Sequence, residues 1–295
     1  MSEGTSSRGI VVGTDGSASA MTAVRWAAGE AKMRNIPLTI LHVVEETRWP
    51  AQGGQIPDEV LSIAENQESA VIAEAVAAAR GDSTDGELEL ETSCPPGQAV
   101  GVLIDSSRQS EMIAVGSRGL TGRHRRSIGS IAVGLLHHAH CPVAVVHDEA
   151  AAGANSHNKP VLVGIDGSRA SLVAAATAME EASRRGVGLL ALHVCKDDAE
   201  SASISGSRRA ALESEAEALL RDSLAELRQR YPEVAVHLLV RFAAPARQIL
   251  NQAERAQLVV VGSHGRGALT GALLGSVSTT VAKGAHIPVL VTRQS

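Results

Sequence analysis

Two stretches of the chain have the composition of an anion cradle. Residues 116–130 read GSRGLTGRHRRSIGS and residues 262–276 read GSHGRGALTGALLGS, so both carry the spacing G-x2-G-x9-G-S. Each follows an apolar run of strand type and opens a helical stretch. Glycines let a backbone approach a ligand closely, successive N–H groups point into one concavity, and a helix N-terminus adds the positive end of its dipole. That combination suits a polyphosphate. Strand-to-helix turns also use glycine for steric reasons alone, but one spacing at two equivalent places is the stronger signal. Neither copy is a Walker loop, since G-x-x-x-x-G-K-[ST] is absent, and no G-x-G-x-x-G follows the first strand.

The elements that must hold these loops are written twice. The segment from Gly9 aligns without gaps on that from Pro160, so that Asp15 falls on Asp166 and His42 on His193. Further on, Gly116 falls on Gly262, Gly129 on Gly275 and Pro142 on Pro288. A repeat on this scale means one fold used twice. The boundaries expected are a first domain over 1–148, a linker over 149–159, small and polar in composition, and a second domain over 160–295.

Within each copy, β-branched runs alternate with helical patterns. Strands are expected at 10–14, 38–43, 88–93, 112–115 and 143–146, with counterparts at 161–165, 189–194, 234–241, 258–261 and 289–291. Several are apolar throughout, as strands buried on both faces of a parallel sheet are. Over 207–230, Leu212, Ala216, Leu219, Leu220, Leu224 and Leu227 form one helical stripe. Pro95, Pro96 and Pro245 sit where helices start after the third strands. The fold class expected is α/β, two tandem doubly wound domains, each a mostly parallel five-stranded sheet with helices on both faces. Ligands of such folds bind at the carboxyl ends of the strands.

Composition narrows the functions further. The 295 residues include four aromatic side chains, Trp26, Trp49, Tyr231 and Phe242, too few to stack single-stranded bases. Residues 1–150 carry 11 Lys and Arg against 19 Asp and Glu, residues 151–295 carry 16 against 13, and no global basic field recruits nucleic acid or a membrane. Cys94, Cys141 and Cys195 contain no C-x-x-C, which argues for a reducing compartment. No apolar leader opens the sequence and no apolar run reaches the ~18 residues of a membrane helix, so a cytoplasmic protein is expected.

Four ordered motifs in each half, V-G-x-D-G-S, L-H-V, G-x2-G-x9-G-S and H-x-P-V-x-V, resemble the universal stress protein family in its tandem form, over essentially the whole chain. The resemblance implies an adenine-nucleotide α-hydrolase-like fold and ATP as ligand, with or without Mg2+. It implies that Asp15 and Asp166, with Gly13 and Gly164 before them, line the nucleoside pocket and that the backbone near Val43 and Val194 meets adenine. Ribose and phosphates would fall to Gly116, Ser117, Arg118, Gly119, Gly129, Ser130 and Ile131, and to Gly262, Ser263, His264, Gly265, Gly275, Ser276, Val277 and Ser278. Asp15 and Asp166 also suit a plain helix start, D-G-S.

The first copy departs from the second in one place. Ala132 stands where the other has Ser278, and Arg123, His124, Arg125 and Arg126 replace Leu269, Thr270, Gly271 and Ala272. Arginine forks are good phosphate ligands, so Arg123, Arg125 and Arg126 are candidate extra phosphate contacts; a solvated flap or a partner-docking loop is the competing account. His137, His138 and His140 sit at a helix C-terminus, which favours cationic side chains, so no metal is expected there. His42 and His193 read as satisfied core histidines, Cys141 as packing and Trp26 as core.

Three functions follow. The leading one is an ATP-binding stress-response regulator, a homodimer with an unidentified protein partner and no nucleic acid. The second is a weak ATPase or phosphoryl-transfer enzyme, for which no general base and charge clamp are identifiable and no catalytic residue is named. The third is a scaffold with a degenerate N-terminal pocket. On that third reading, Arg125→Ala with Arg126→Ala abolishes partner capture in a pull-down while leaving bound ATP unchanged; loss of ATP instead assigns the arginines to phosphate.

Overall fold

Runs of four to seven residues, apolar in most strands and half polar in β3, form a parallel sheet in each unit. The computed structural model describes residues 9–44, 58–81, 88–120, 128–148, 158–195, 206–266 and 274–293. The chain divides into two units, 1–148 and 149–295. The first contains β1 (Ile10–Gly13), α1 (Ala18–Arg34), β2 (Leu38–Leu41), α2 (Asp58–Arg80), β3 (Leu90–Ser93), α3 (Ala99–Ser106), β4 (Met112–Gly116), α4 (Ser130–His138) and β5 (Val143–Val146). The second repeats the order with β6 (Val161–Gly164), α5 (Arg169–Arg185), β7 (Leu189–Cys195), α6 (Gly206–Arg230), β8 (Val236–Phe242), α7 (Pro245–Ala253), β9 (Leu258–Gly262), α8 (Ser276–Gly284) and β10 (Val289–Thr292).

In the first unit the strands run in the order β3-β2-β1-β4-β5, and in the second β8-β7-β6-β9-β10, with every pairing inside a unit parallel. Each sheet is therefore doubly wound, with helices on both faces, as expected from the sequence. The winding reverses between β1 and β4, and between β6 and β9, and a crevice opens at the strands' carboxyl ends at such a point. Observed strand ends lie within two residues of those expected. Among the described residues no helix is long and apolar enough to cross a membrane.

Alanine sets how closely the helices approach. Ala20, Ala23, Ala27 and Ala31 of α1, and Ala170, Ala174, Ala178 and Ala182 of α5, are almost wholly buried at three- and four-residue intervals. Ser17 caps α1 by accepting the Ala20 N–H at 3.2 Å, and Ser168 caps α5 through the Ser171 N–H at 3.2 Å. The helices end in left-handed residues, Asn35 and Gly186.

Two readings need correction. Trp26 is half-buried rather than core, because alanines fill the face of α1 that meets the sheet. Pro95 and Pro96 do not start α3, which begins at Ala99. Instead the Val44 N–H donates to the Pro95 carbonyl at 3.1 Å and the Gly97 N–H to the Val44 carbonyl at 3.0 Å, extending the contact between the β2 and β3 ends. Pro245 is at the first position of α7, as expected.

Leu162, fully buried in β6, tests the second unit's core. Leu162→Ala should cost about 2–5 kcal/mol in denaturant-monitored unfolding of that unit; a loss under about 1 kcal/mol would show that the site collapses around the smaller side chain.

Candidate functional site

Each site is assembled around one aspartate. After β1 the chain turns through Gly16, whose φ of 81° a side chain would strain, and Gly167 repeats this at 80°. The turn lets Asp15 Oδ1 accept the Ser17 N–H at 3.0 Å while Oδ2 accepts the Leu120 N–H at 3.0 Å, from the glycine loop after β4. In the second unit Asp166 accepts the Ser168 N–H at 2.9 Å and the Arg266 N–H at 3.1 Å. Each aspartate thus ties the start of the first helix to the glycine loop.

The tie explains two glycines of each frame. A Cβ on Gly119 would lie 2.7 Å from Asp15 Oδ2, and one on Gly265 2.7 Å from Asp166 Oδ2. A Cβ on Gly116 or Gly262 would meet the backbone of the first helix at 2.7 Å. The third glycine works differently. Gly129 and Gly275 close the loop through N–H bonds to the Ser117 and Ser263 carbonyls, at 2.8 and 2.7 Å, and then start α4 and α8 with no side-chain cap. The first intrahelical bonds are Val133 N–H to Gly129 and Thr279 N–H to Gly275. The N–H groups of Ser130, Ile131 and Ala132, and of Ser276, Val277 and Ser278, precede those bonds and form helix-start donor sets suited to an anion.

Side chains of the loops are engaged in structure. Ser117 and Ser263 are buried and contribute through their backbone. The Arg118 guanidinium pairs with the Asp148 carboxylate, and His264 Nδ1 lies 2.9 Å from the Ser263 hydroxyl. Ser278, expected as a further phosphate contact, is 4% exposed and donates its proton to the Gly262 carbonyl at 2.6 Å. Its hydroxyl braces the cradle, leaving its N–H for a ligand. Arg123, His124, Arg125 and Arg126 lie outside the described residues.

In the first unit these elements enclose a cavity of ≈ 400 Å3. All the residues expected there except Ser117 line it: Gly13, Asp15, Val43, Gly116, Arg118, Gly119, Gly129, Ser130 and Ile131. Part of its lining is aliphatic, with Leu41, Val44, Ala99 and Leu103. The bonds of His42 and Val44 N–H to Ser93 and Pro95 turn towards β3, and among the described residues no such bond takes the Val43 backbone. Two polar wall residues depart from the sequence reading: His42, which like His193 is expected in the core but is half-buried, and Glu68, which no motif singles out. His42 is held by Nδ1, 2.9 Å from the Thr14 carbonyl, and is half-buried at the cavity; His193 is held alike at 2.7 Å from Ile165. Glu68 comes from α2, remote in sequence from both motifs. In the second unit Gly164, Asp166, Val194, Gly262, Gly265, Gly275, Ser276 and Val277 occupy the equivalent positions on β6, β7, β9 and α8.

Burial would raise the Asp166 carboxyl, but hydrogen bonds from the Ser168 hydroxyl and N–H, Ser171 and the Arg266 N–H outweigh it and hold the group below its ordinary value. A carboxyl lowered on folding adds stability that is complete above its unfolded pKa and is lost as pH falls through the folded one. The stability gap between wild type and Asp166→Asn should therefore be wide at pH 7 and close below about pH 4; a gap that is constant with pH in denaturation curves would refute the tie.

Comparison with known proteins adds to this geometry. The model of the Universal stress protein family matches residues 7–147 and again 157–293. Universal stress protein Rv2005c of Mycobacterium tuberculosis is 43% identical over 303 residues, covering 100% of both chains. Among solved structures, a universal stress protein from Archaeoglobus fulgidus superposes with a TM-score of 0.68 at 24% identity, over 97% of this chain and 98% of that one. A universal stress protein solved in complex with cAMP is 26% identical, covering 48% of this chain and 100% of that one, with a TM-score of 0.40.

Proposed function

The chain belongs to the universal stress protein family, and from that premise we propose that it is an ATP-binding regulatory protein of the stress response. The observation that carries the reading is the first unit's cavity, where an aliphatic wall, an open backbone edge at Val43, a carboxylate and an uncapped helix start face one space. Adenine lies against the wall and meets the Val43 backbone. Asp15 keeps lone pairs beyond those taken by the Ser17 and Leu120 N–H groups, and these accept from the nucleoside. The phosphates lie on the Gly119 loop and the Ser130, Ile131 and Ala132 N–H groups, where the helix dipole opposes their charge.

The second unit binds a nucleotide in the same way, through Asp166, Gly265 and the start of α8. Regulation rests on the coupling built into the aspartate: a nucleotide that touches Asp15 touches the bond holding the glycine loop. A ligand bound only by the folded site also stabilises it by mass action. Self-association, a cytoplasmic location and a protein partner belong to the same proposal. Turnover has less support, because the described cradle residues include no lysine and both Asp15 oxygens already hold backbone N–H groups.

Nucleotide released from purified protein, counted per chain by mass spectrometry, tests the reading. Two per wild-type chain should fall to one in Gly119→Asp and to one in Gly265→Asp, since each new carboxylate faces the aspartate of its own unit. One nucleotide, lost only in Gly265→Asp, would make the first cavity empty in the cell. None in wild type, even after soaking with ATP and Mg2+, would sink the ligand and leave the fold standing.

A further inference from the structure

We propose that Glu68 is the base-selecting residue of the first unit's cavity, accepting the exocyclic amino group of adenine and excluding 6-oxo purines. The inference rests on the nucleotide reading above and deepens it.

Four observations carry it. Glu68 lines the cavity together with Val43 and Val44, and it acts on Cys94 just past β3, the edge strand on the far side of β2 and β1 from β4. It is half-buried on α2, while its sequence neighbours Gln67 and Ser69 are exposed. Its charge reaches the end of β3: the Cys94 thiol is raised by desolvation first and by Glu68 second. Among the described residues Glu68 has no hydrogen-bond or ion-pair partner, whereas His42 is held by the Thr14 carbonyl. A carboxylate is acceptor-only when ionised, so it complements an amino group and repels a ring carbonyl. Adenine and hypoxanthine differ at C6, amino against oxo, and with it at N1, an acceptor in adenine and an N–H donor in hypoxanthine, so the pair probes a carboxylate placed at the C6 substituent rather than at N1.

The two units differ here. A Cβ on Gly16 would meet Val71, and one on Gly167 would meet Leu219, so these residues occupy the same place on α2 and α6. Three residues before them stand Glu68 and Ala216, and Ala216 is 5% exposed. The carboxylates that act on Cys195 at the end of β7, Glu213 and Glu215, are both exposed. The second unit therefore lacks a carboxylate at this position of the wall.

The test is calorimetric titration of the full chain with ATP and with inosine triphosphate. It uses wild type, fitted as two sites, and the Gly265→Asp chain, in which only the first cradle operates. The first site should prefer ATP by at least about tenfold, the scale of one hydrogen bond to a charged group. Wild type should show a second site with a smaller preference. In Glu68→Gln, whose amide both donates and accepts, and in Glu68→Ala, the first site's preference should fall towards none while ATP still binds. If ATP binds and both variants keep the parental ratio, Glu68 is not the selector and the nucleotide reading stands. If neither nucleotide binds any chain, the nucleotide reading fails and this proposal falls with it.

Discussion

Everything at the two sites depends on one carboxylate held between two backbone segments. Asp15 joins the turn after β1 to the loop after β4, and Asp166 does the same between β6 and β9. Those strands are neighbours at the reversal point of each sheet, so the side chain of one can reach the loop of the other. Remove the carboxylate and the glycine loop loses its anchor to the helix. Lengthen it, and the loop no longer closes against the first helix. The glycines follow from this constraint: the close approach of loop to aspartate and helix leaves no room for a Cβ at four of the six frame positions.

The strands were legible because apolar β-branched runs buried on both faces have few other interpretations. β3 was the hardest, since LETS is half polar and lies at the edge of its sheet. The cradle was legible because glycine spacing is local and repeated. What could not be read was what joins residues far apart. The partner of Asp15 lies 105 residues away, so D-G-S alone was compatible with a helix start, which it also is. Glu68 gave no signal, because a carboxylate on a long amphipathic helix looks like any solvated residue until the register of α2 against β2 is known. Ser278 misled in a different way: a hydroxyl at a helix start suggests a ligand, but burial turned it towards the Gly262 carbonyl.

The copies are alike in backbone and unlike in side chains. The first braces its loop with an arginine paired to Asp148, the second with a serine and histidine side by side. The second ties β9 to α8 through the Ser278 hydroxyl, and Ala132 leaves the first without that bond. The architecture that leaves N–H groups free at a helix start is backbone-borne, so it survives such exchanges, whereas the rest of the cavity wall is made of side chains and diverges freely.

The aspartate tie also bears on how the sites come into being during folding. Its two ends are 105 and 100 residues apart in the respective units, and they meet only once β1 lies beside β4, or β6 beside β9. Contacts of such long range carry a high loop-closure entropy, because a long stretch of chain must be ordered to make them. A unit that has collapsed but not yet aligned these strands holds all the site's residues and none of its geometry. The geometry of the cradle is complete only when these strands are aligned, and a nascent chain still lacking β4 or β9 has no loop for the aspartate to hold.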